Sequence, residues 1–111
     1  MKRRLLATAA LLASLAAGAQ GIVLAALGSG NATPAIAGGV ARCTAAGVPV
    51  VVSSRVPRGR LAASYGGGGG GHDLVRAGAV LSTVLRPGQA RVLLAALIAS
   101  GLVDRAGAFF G

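Results

Sequence analysis

Two continuous apolar runs in the first half of the chain predict two buried β-strands. The first, GIVLAAL, occupies positions 21–27 and is ended by GSGN at positions 28–31. The second, VPVVV, occupies positions 48–52 and is followed by Ser53 and Ser54. Neither run alternates apolar with polar residues, which is typical of strands covered on both faces and therefore of parallel sheets. We expect strands over residues 22–27 and 50–54.

The segment between these runs predicts a helix. Thr33 is a candidate N-cap and Pro34 suits the first helical position, so the helix should run over about residues 34–46 and end at Gly47. Gly38 and Gly39 lie inside it and lower its stability by about 1 kcal/mol each relative to Ala. We expect them to let the helix approach the sheet closely. Together the three elements predict a right-handed β-α-β unit with adjacent parallel strands.

The second half of the chain is less regular. Residues 55–73 are predicted to form a loop, because Pro57 and Gly59 break regular structure and residues 66–71 are six consecutive glycines. A helical turn and a third short strand around residues 79–81 should follow. Pro87 opens a helix whose apolar residues recur at helical spacing until Gly101. The pattern predicts an α/β fold over residues 21–101, a small Rossmann- or flavodoxin-like domain with a parallel sheet flanked by helices. Residues 102–111 are a weakly specified tail.

Residues 1–20, MKRRLLATAALLASLAAGAQ, fit two interpretations. A basic start, an apolar run and Ala17-Gly18-Ala19 before Gln20 are typical of a signal peptide, which would make the protein periplasmic or secreted. The same residues can form an amphipathic or buried N-terminal helix that Gly18 ends as its C-cap. The apolar run is short for a membrane span, so a transmembrane helix is not favoured. The pattern alone leaves the first two interpretations open.

Composition limits the function classes. A chain of 111 residues forms one domain, and its 54% hydrophobic residues include only 3% aromatic ones. The formal net charge of +9 raises nucleic acid or an acidic membrane as a partner, but apart from Lys2, Arg3 and Arg4 the cations are spread singly, and few aromatic residues are available for base stacking. We therefore expect no nucleic acid and no membrane as partner. A missing acidic portion of a longer protein explains the excess of positive charge better than a nucleic-acid or membrane partner does.

Few residues offer catalytic or metal-binding chemistry. His72 and Asp73 could form a base and its orienting carboxylate, but adjacent residues rarely have the required geometry, and Asp73 fits a helix N-cap better. One His, one Cys and two Asp are too scattered to predict a metal site. The GSGN turn lacks the third glycine and the downstream acidic residue of a dinucleotide loop.

Two further side chains have structural interpretations. Arg55 follows the second strand and could hold an acidic ligand or brace the loop; we favour bracing. Cys43 has no disulfide partner within the chain and is expected to be buried.

Taken in order, these segments resemble the C-terminal domain of the bacterial L-asparaginase and glutaminase family. The resemblance rests on GIVLAALGSGN, the helix, GVPVVVSSRVPRGR, the Tyr65-Gly66 glycine loop with Asp73-Leu74, and AGAVLSTVLRPGQARVLLAALIASG. It covers about residues 21–101, and the combination is more specific than any one segment. In the family the preceding helix ends in a turn similar to residues 15–20. The resemblance therefore favours a domain helix, and hence a cytoplasmic protein, over a signal peptide.

The resemblance implies hydrolysis of the asparagine side-chain amide to aspartate and ammonia, without a metal or organic cofactor. In the family a threonine nucleophile acts from Thr-Gly-Gly-Thr and Thr-Asp-Thr motifs of an N-terminal domain, and these motifs are absent from this sequence. The C-terminal domain contributes substrate contacts and an oligomer interface, so we expect a homo-oligomer or an N-terminal domain as partner. Alone, the chain is expected to be inactive. A non-enzymatic α/β binding module and an exported basic protein remain as alternatives.

One substrate contact carries over by position. Asn31 follows the first strand in the Gly-Asn pair at which the family contacts substrate, and its amide offers both donors and acceptors. An Asn at this place can also serve only the loop, as a left-handed residue or a helix cap. The family's better-known members add a Glu in the loop after the second strand, but this chain contains no Glu. A preference for asparagine or glutamine therefore cannot be carried over.

Overall fold

The computed structural model describes residues 2–26, 34–54 and 71–111, and in these a parallel sheet forms the centre of the domain. Its three strands are adjacent in chain order: β1 (Ile22–Ala26), β2 (Val50–Ser54) and β3 (Val80–Leu81). Ile22 is in register with Val50 and Ala26 with Ser54, while Val51 pairs with Val80. The predicted α/β class with a parallel sheet flanked by helices is confirmed.

Helices connect and flank the strands. Helix α2 crosses between β1 and β2, as predicted from Pro34, and α3 precedes β3. Gly47, with φ +82, follows the end of α2 and serves as its stop signal. The helices among the described residues are α1 (Lys2–Ala16), α2 (Pro34–Ala45), α3 (Gly71–Arg76), α4 (Pro87–Ala99) and α5 (Ala106–Phe110), with a 3₁₀ turn at Val103–Arg105 before α5. None of these described helices is both long and apolar enough to cross a membrane.

The central strand β2 explains why the domain has two cores. Successive side chains of a strand point to opposite faces, so Val50 and Val52 face one layer of helices and Val51 the other. The first core lies under α1, α2 and α3, and the second lies under α4 and α5. Buried residues of the first core are Leu11, Val40, Cys43, Val50, Val52, Leu74 and Ala79. Those of the second are Val51, Ala90, Leu94, Leu97, Ala106 and Phe110.

Helix α1 packs against α2 on the first-core face. Leu11 is buried there, and the Cys43 thiol donates a weak hydrogen bond to the Leu11 carbonyl at 3.9 Å. The chain leaves the helix through Gly18, whose φ of +87 is the left-handed conformation of a helix C-terminus. The segment before β1 is therefore helical and contributes a side chain to the core.

The turn between α3 and β3 is locked against α2. Gly78 has φ +104, and a Cβ placed on it would lie 2.8 Å from the Thr44 hydroxyl oxygen. That hydroxyl donates to the Ala77 carbonyl at 2.6 Å. The turn is close to α2 because Gly78 has no side chain.

Three local expectations need correction. Gly39 is buried, but a Cβ on Gly38 would have no heavy atom within 4 Å, so Gly38 does not serve close approach. Asp73 lies in the first turn of α3, which begins at Gly71, and is not its N-cap. The tail forms a 3₁₀ turn and α5, with Ala106 and Phe110 buried in the second core. The tail takes this form because these two side chains pack in the second core with residues of α4.

Candidate functional site

The carboxyl ends of the strands meet at one edge of the sheet, where open α/β sheets bind ligands. β1 ends at Ala26, β2 at Ser54 and β3 at Leu81. Asn31, predicted as a substrate contact, follows β1 by five positions and lies outside the described residues, as does Arg55 directly after β2. The described part of this edge includes the ends of the three strands, residues 82–86 and the starts of α2, α3 and α4.

Two buried serines hold this edge together. Ser53 donates its hydroxyl to the Leu85 carbonyl at 2.6 Å, and Ser82 donates to the same oxygen at 2.8 Å. Both serine residues are fully buried. The Ser82 N–H also extends the sheet by donating to the Val52 carbonyl at 2.8 Å. Because a carbonyl oxygen has two lone pairs, the two hydroxyls satisfy Leu85 completely and fix the loop over the end of β2.

The loop then leads into the start of α4 at the same edge. Pro87 occupies the first turn, and the Arg86 N–H donates to the Gln89 side-chain oxygen at 3.1 Å. The N-terminal end of α4 therefore points toward the carboxyl edge, where the helix dipole places partial positive charge. This orientation suits a ligand with a carboxylate, although a helix end by itself identifies no ligand.

Thr83 ties the loop to the C-terminal helix. Its N–H and its hydroxyl each lie 3.3 Å from the Phe110 carbonyl and donate to it. Helix α5 thus supports the loop between β3 and α4 from the side, while the Phe110 ring is buried in the second core. This support by α5 was not predicted from the sequence. Its only signal was the aromatic pair at the end of a tail otherwise low in aromatic residues.

Three hydroxyls of this edge are structural donors. Ser53, Ser82 and Thr83 all donate to main-chain carbonyls. A serine or threonine becomes a nucleophile when a neighbouring base takes its proton. With their hydrogens directed at carbonyl oxygens, these side chains hold the backbone and are not poised for attack.

The free thiol lies in the interior of the domain. Cys43 is buried in the first core, and burial raises the pKa of its thiol, an effect that Arg42 partly opposes. In the part of the chain that the structure describes, no group of three or more His, Cys, Asp or Glu could hold a metal ion. A cleft of about 250 Å³ lies at the opposite, amino end of the strands, where Pro49, Gly78 and Asp104 contribute to its lining. It does not include the predicted substrate contact.

Comparison with known proteins identifies the kind of domain that carries this edge. The family model described as "Glutaminase/Asparaginase C-terminal domain" matches residues 6–107. A probable L-asparaginase from Deinococcus radiodurans is 41% identical over 83 residues, which are 75% of this chain and 25% of that protein. The aligned part thus spans about a quarter of the relative's length.

Proposed function

Because the chain belongs to the Glutaminase/Asparaginase C-terminal domain family, we propose that it is the substrate-contacting and oligomerising part of an L-asparaginase-type amidohydrolase. Such an enzyme converts L-asparagine into L-aspartate and ammonia. The observation that carries the proposal is a family match over residues 6–107 in a sequence without the Thr-Gly-Gly-Thr and Thr-Asp-Thr nucleophile motifs. The chain would therefore complete a catalytic centre without supplying its nucleophile.

The chemistry of the carboxyl edge supports this division of roles. Amide hydrolysis by this route needs an activated hydroxyl, whereas Ser53 and Ser82 use theirs to hold the Leu85 carbonyl. The sequence contains no Glu and only one Lys, Lys2, so carboxylate and amine bases are scarce as well. Groups that only bind substrate leave the chemical barrier largely intact, and inactivity of the isolated chain follows.

Asn31 is our proposed substrate contact. In sequence it follows the end of β1 by five positions, and β1 ends at the carboxyl edge, to which the start of α4 adds partial positive charge. The substrate carries a carboxylate, an ammonium group and an amide, and an Asn side chain can donate to the first and accept from the other two. The absence of Glu removes the carboxylate that family members place near the ammonium. In this proposal Asn31 therefore contributes more to substrate recognition than it would beside such a Glu.

We propose a homo-oligomer or an asparaginase N-terminal domain as the partner, no nucleic-acid or membrane partner, and a cytoplasmic location. The packing of Leu11 in the first core supports α1 as part of the domain. Cleavage of residues 1–19 would remove that side chain and place the new terminus directly before β1.

Ammonia release from L-asparagine tests the proposal. The purified chain alone should give background rates, and mixing it with a separately produced asparaginase N-terminal domain should produce activity. In the active mixture, Asn31→Ala should lower kcat/KM, while Ser100→Ala, at the exposed end of α4, should not. Asparagine-dependent ammonia from the contaminant-free chain alone would overturn the proposal. So would an inactive mixture in which the two parts demonstrably associate.

A further inference from the structure

Two parts of the domain hold the loop between β3 and α4. Toward the sheet, the Ser53 and Ser82 hydroxyls both donate to the Leu85 carbonyl. Toward α5, Thr83 donates its N–H and its hydroxyl to the Phe110 carbonyl, each at 3.3 Å. Thr83 lies between Ser82 and Leu85 in sequence. The sheet therefore holds the ends of this segment, and α5 holds its middle.

Phe110 provides both the acceptor for Thr83 and the anchor of α5. It is the last residue of α5, and the carbonyls of a helix's last turn have no donor within the helix. Thr83 supplies two donors to this carbonyl. Phe110 is only 3% exposed and belongs to the second core. Because ring and carbonyl belong to one residue, the acceptor is in place for Thr83 only while the ring occupies the core.

Helix α5 depends on this anchor. It is five residues long, and isolated helices of that length are not stable in water. Its buried residues are Ala106 and Phe110, whereas Phe109 is 50% exposed. An element with so few buried side chains opens at a lower cost in free energy than the whole domain does. Docking of α5 is therefore an equilibrium of its own, distinct from global unfolding.

The docked helix matters at the carboxyl edge because the loop is short. Ser82 directly follows β3, and α4 begins at Pro87. Val84, next to Thr83, is 60% exposed, so its side chain does little to hold the loop. Loss of the Thr83 hydrogen bonds would therefore free the middle of the loop beside the start of α4.

We propose that Thr83 is a positioning residue for substrate. Through the Phe110 carbonyl it holds the loop between β3 and α4 in the conformation that the carboxyl edge needs, and docking of α5 controls the population of that conformation. The role rests on the proposed function, in which the carboxyl edge contacts L-asparagine. Thr83 acts through the loop, because its hydroxyl is committed to a main-chain carbonyl. Since the chain would supply binding groups and no nucleophile, loss of this hydrogen bond should raise KM more than it lowers kcat.

Amide hydrogen exchange, measured by NMR on the full chain, tests the coupling between α5 and the loop. Phe110→Ala should speed exchange of the Thr83 N–H about tenfold, because its acceptor leaves with α5. The Ser82 N–H donates to the Val52 carbonyl in the sheet at 2.8 Å and should change much less. Phe109→Ala is the matched control, since Phe109 is 50% exposed and its substitution should change neither rate.

Kinetics in the mixture with a separately produced asparaginase N-terminal domain test the role of Thr83. Thr83→Val keeps the shape and the N–H of the residue but removes the hydroxyl donor, and it is a milder change should Phe110→Ala fail to fold. Loss of one hydrogen bond corresponds to about a fivefold change, so KM for L-asparagine should rise about fivefold while kcat stays within about twofold. Thr83→Ser restores the donor and should return KM to the wild-type value.

Three results would overturn the proposal. Unchanged exchange of the Thr83 N–H in a folded Phe110→Ala variant would show that α5 does not hold the loop. Equal KM values for wild type and Thr83→Val in an active mixture would show that this attachment does not position substrate, and would leave the proposed function intact. An inactive wild-type mixture of associated parts would overturn the proposed function and this positioning role with it.

Discussion

Replacing Gly78 with alanine should destabilise the domain through two separable effects. Gly78 has φ +104, a conformation that side chains of L-residues disfavour. In addition, the new Cβ would lie 2.8 Å from the Thr44 hydroxyl oxygen and 3.0 Å from the Thr44 Cβ. Relief of this overlap requires Thr44 to move away from the Ala77 carbonyl, to which it donates at 2.6 Å.

The magnitude follows from the two effects. The left-handed conformation costs about 1–2 kcal/mol for a residue with a Cβ. Weakening the Thr44 hydrogen bond costs about 0.5–1.5 kcal/mol. The free energy of unfolding should therefore fall by roughly 2–3 kcal/mol for Gly78→Ala, and the melting temperature by roughly 10–20 °C in a domain of this size.

Urea unfolding followed by circular dichroism measures the effect, and Gly18→Ala is the matched control. Gly18 has φ +87, but a Cβ there would have no heavy atom within 4 Å, so its substitution reports the backbone effect alone. The double variant Thr44→Ala/Gly78→Ala should be less destabilised than the sum of the single variants, because the two residues are in contact. If Gly78→Ala and Gly18→Ala have the same free energy of unfolding, the contact with Thr44 contributes nothing and the reasoning is refuted.

Three further predictions concern other positions. Gly38→Ala, on the exposed side of α2 with open space around its Cβ, should stabilise the domain by about 0.5–1 kcal/mol in urea unfolding; a loss of stability would show that Gly38 has a role in packing. Burial raises the pKa of the Cys43 thiol, so the folded state keeps a proton that the unfolded state loses as pH rises. Relative to Cys43→Ala, the wild type should have its full stability below the ordinary thiol pKa and lose stability as pH rises above it. If the free energies of unfolding of the two proteins change in parallel with pH, this prediction is wrong. Intact-mass measurement of the expressed protein should show residues 2–19 retained, whereas a mature chain beginning at Gln20 would establish the signal peptide.

The sheet was predictable because its signals are local. The apolar runs around Val23 and Val51 lack polar alternation, as strands covered on both faces require, and both became neighbouring parallel strands. Pro34 and Gly47 bounded α2 through the fixed φ of proline and the left-handed conformation of glycine. These properties belong to single residues, so they can be read without knowledge of the tertiary structure.

The elements that the sequence analysis missed depend on contacts between distant residues. Helix α5 is only five residues long, and its place is determined by Phe110 packing in the second core. A helix this short has little stability of its own, so its periodicity carries no signal. Likewise Ser53 meets the Leu85 carbonyl across 32 positions of sequence, and a serine at a strand end gives no indication whether its partner is a ligand, water or the backbone.

That serine pair bears on how activity is divided within this family fold. A loop beside a ligand edge must be held rigidly if it is to position substrate, and the loop after β3 carries a half-buried carbonyl that needs partners. Ser53 and Ser82 meet both requirements at once, because their hydroxyls satisfy Leu85 and tie the loop to β2. The same hydrogen bonds direct the hydroxyl protons at a carbonyl oxygen. An edge built in this way favours precise positioning over bond cleavage, which is the physical reason for expecting this chain to contact substrate while another domain supplies the nucleophile.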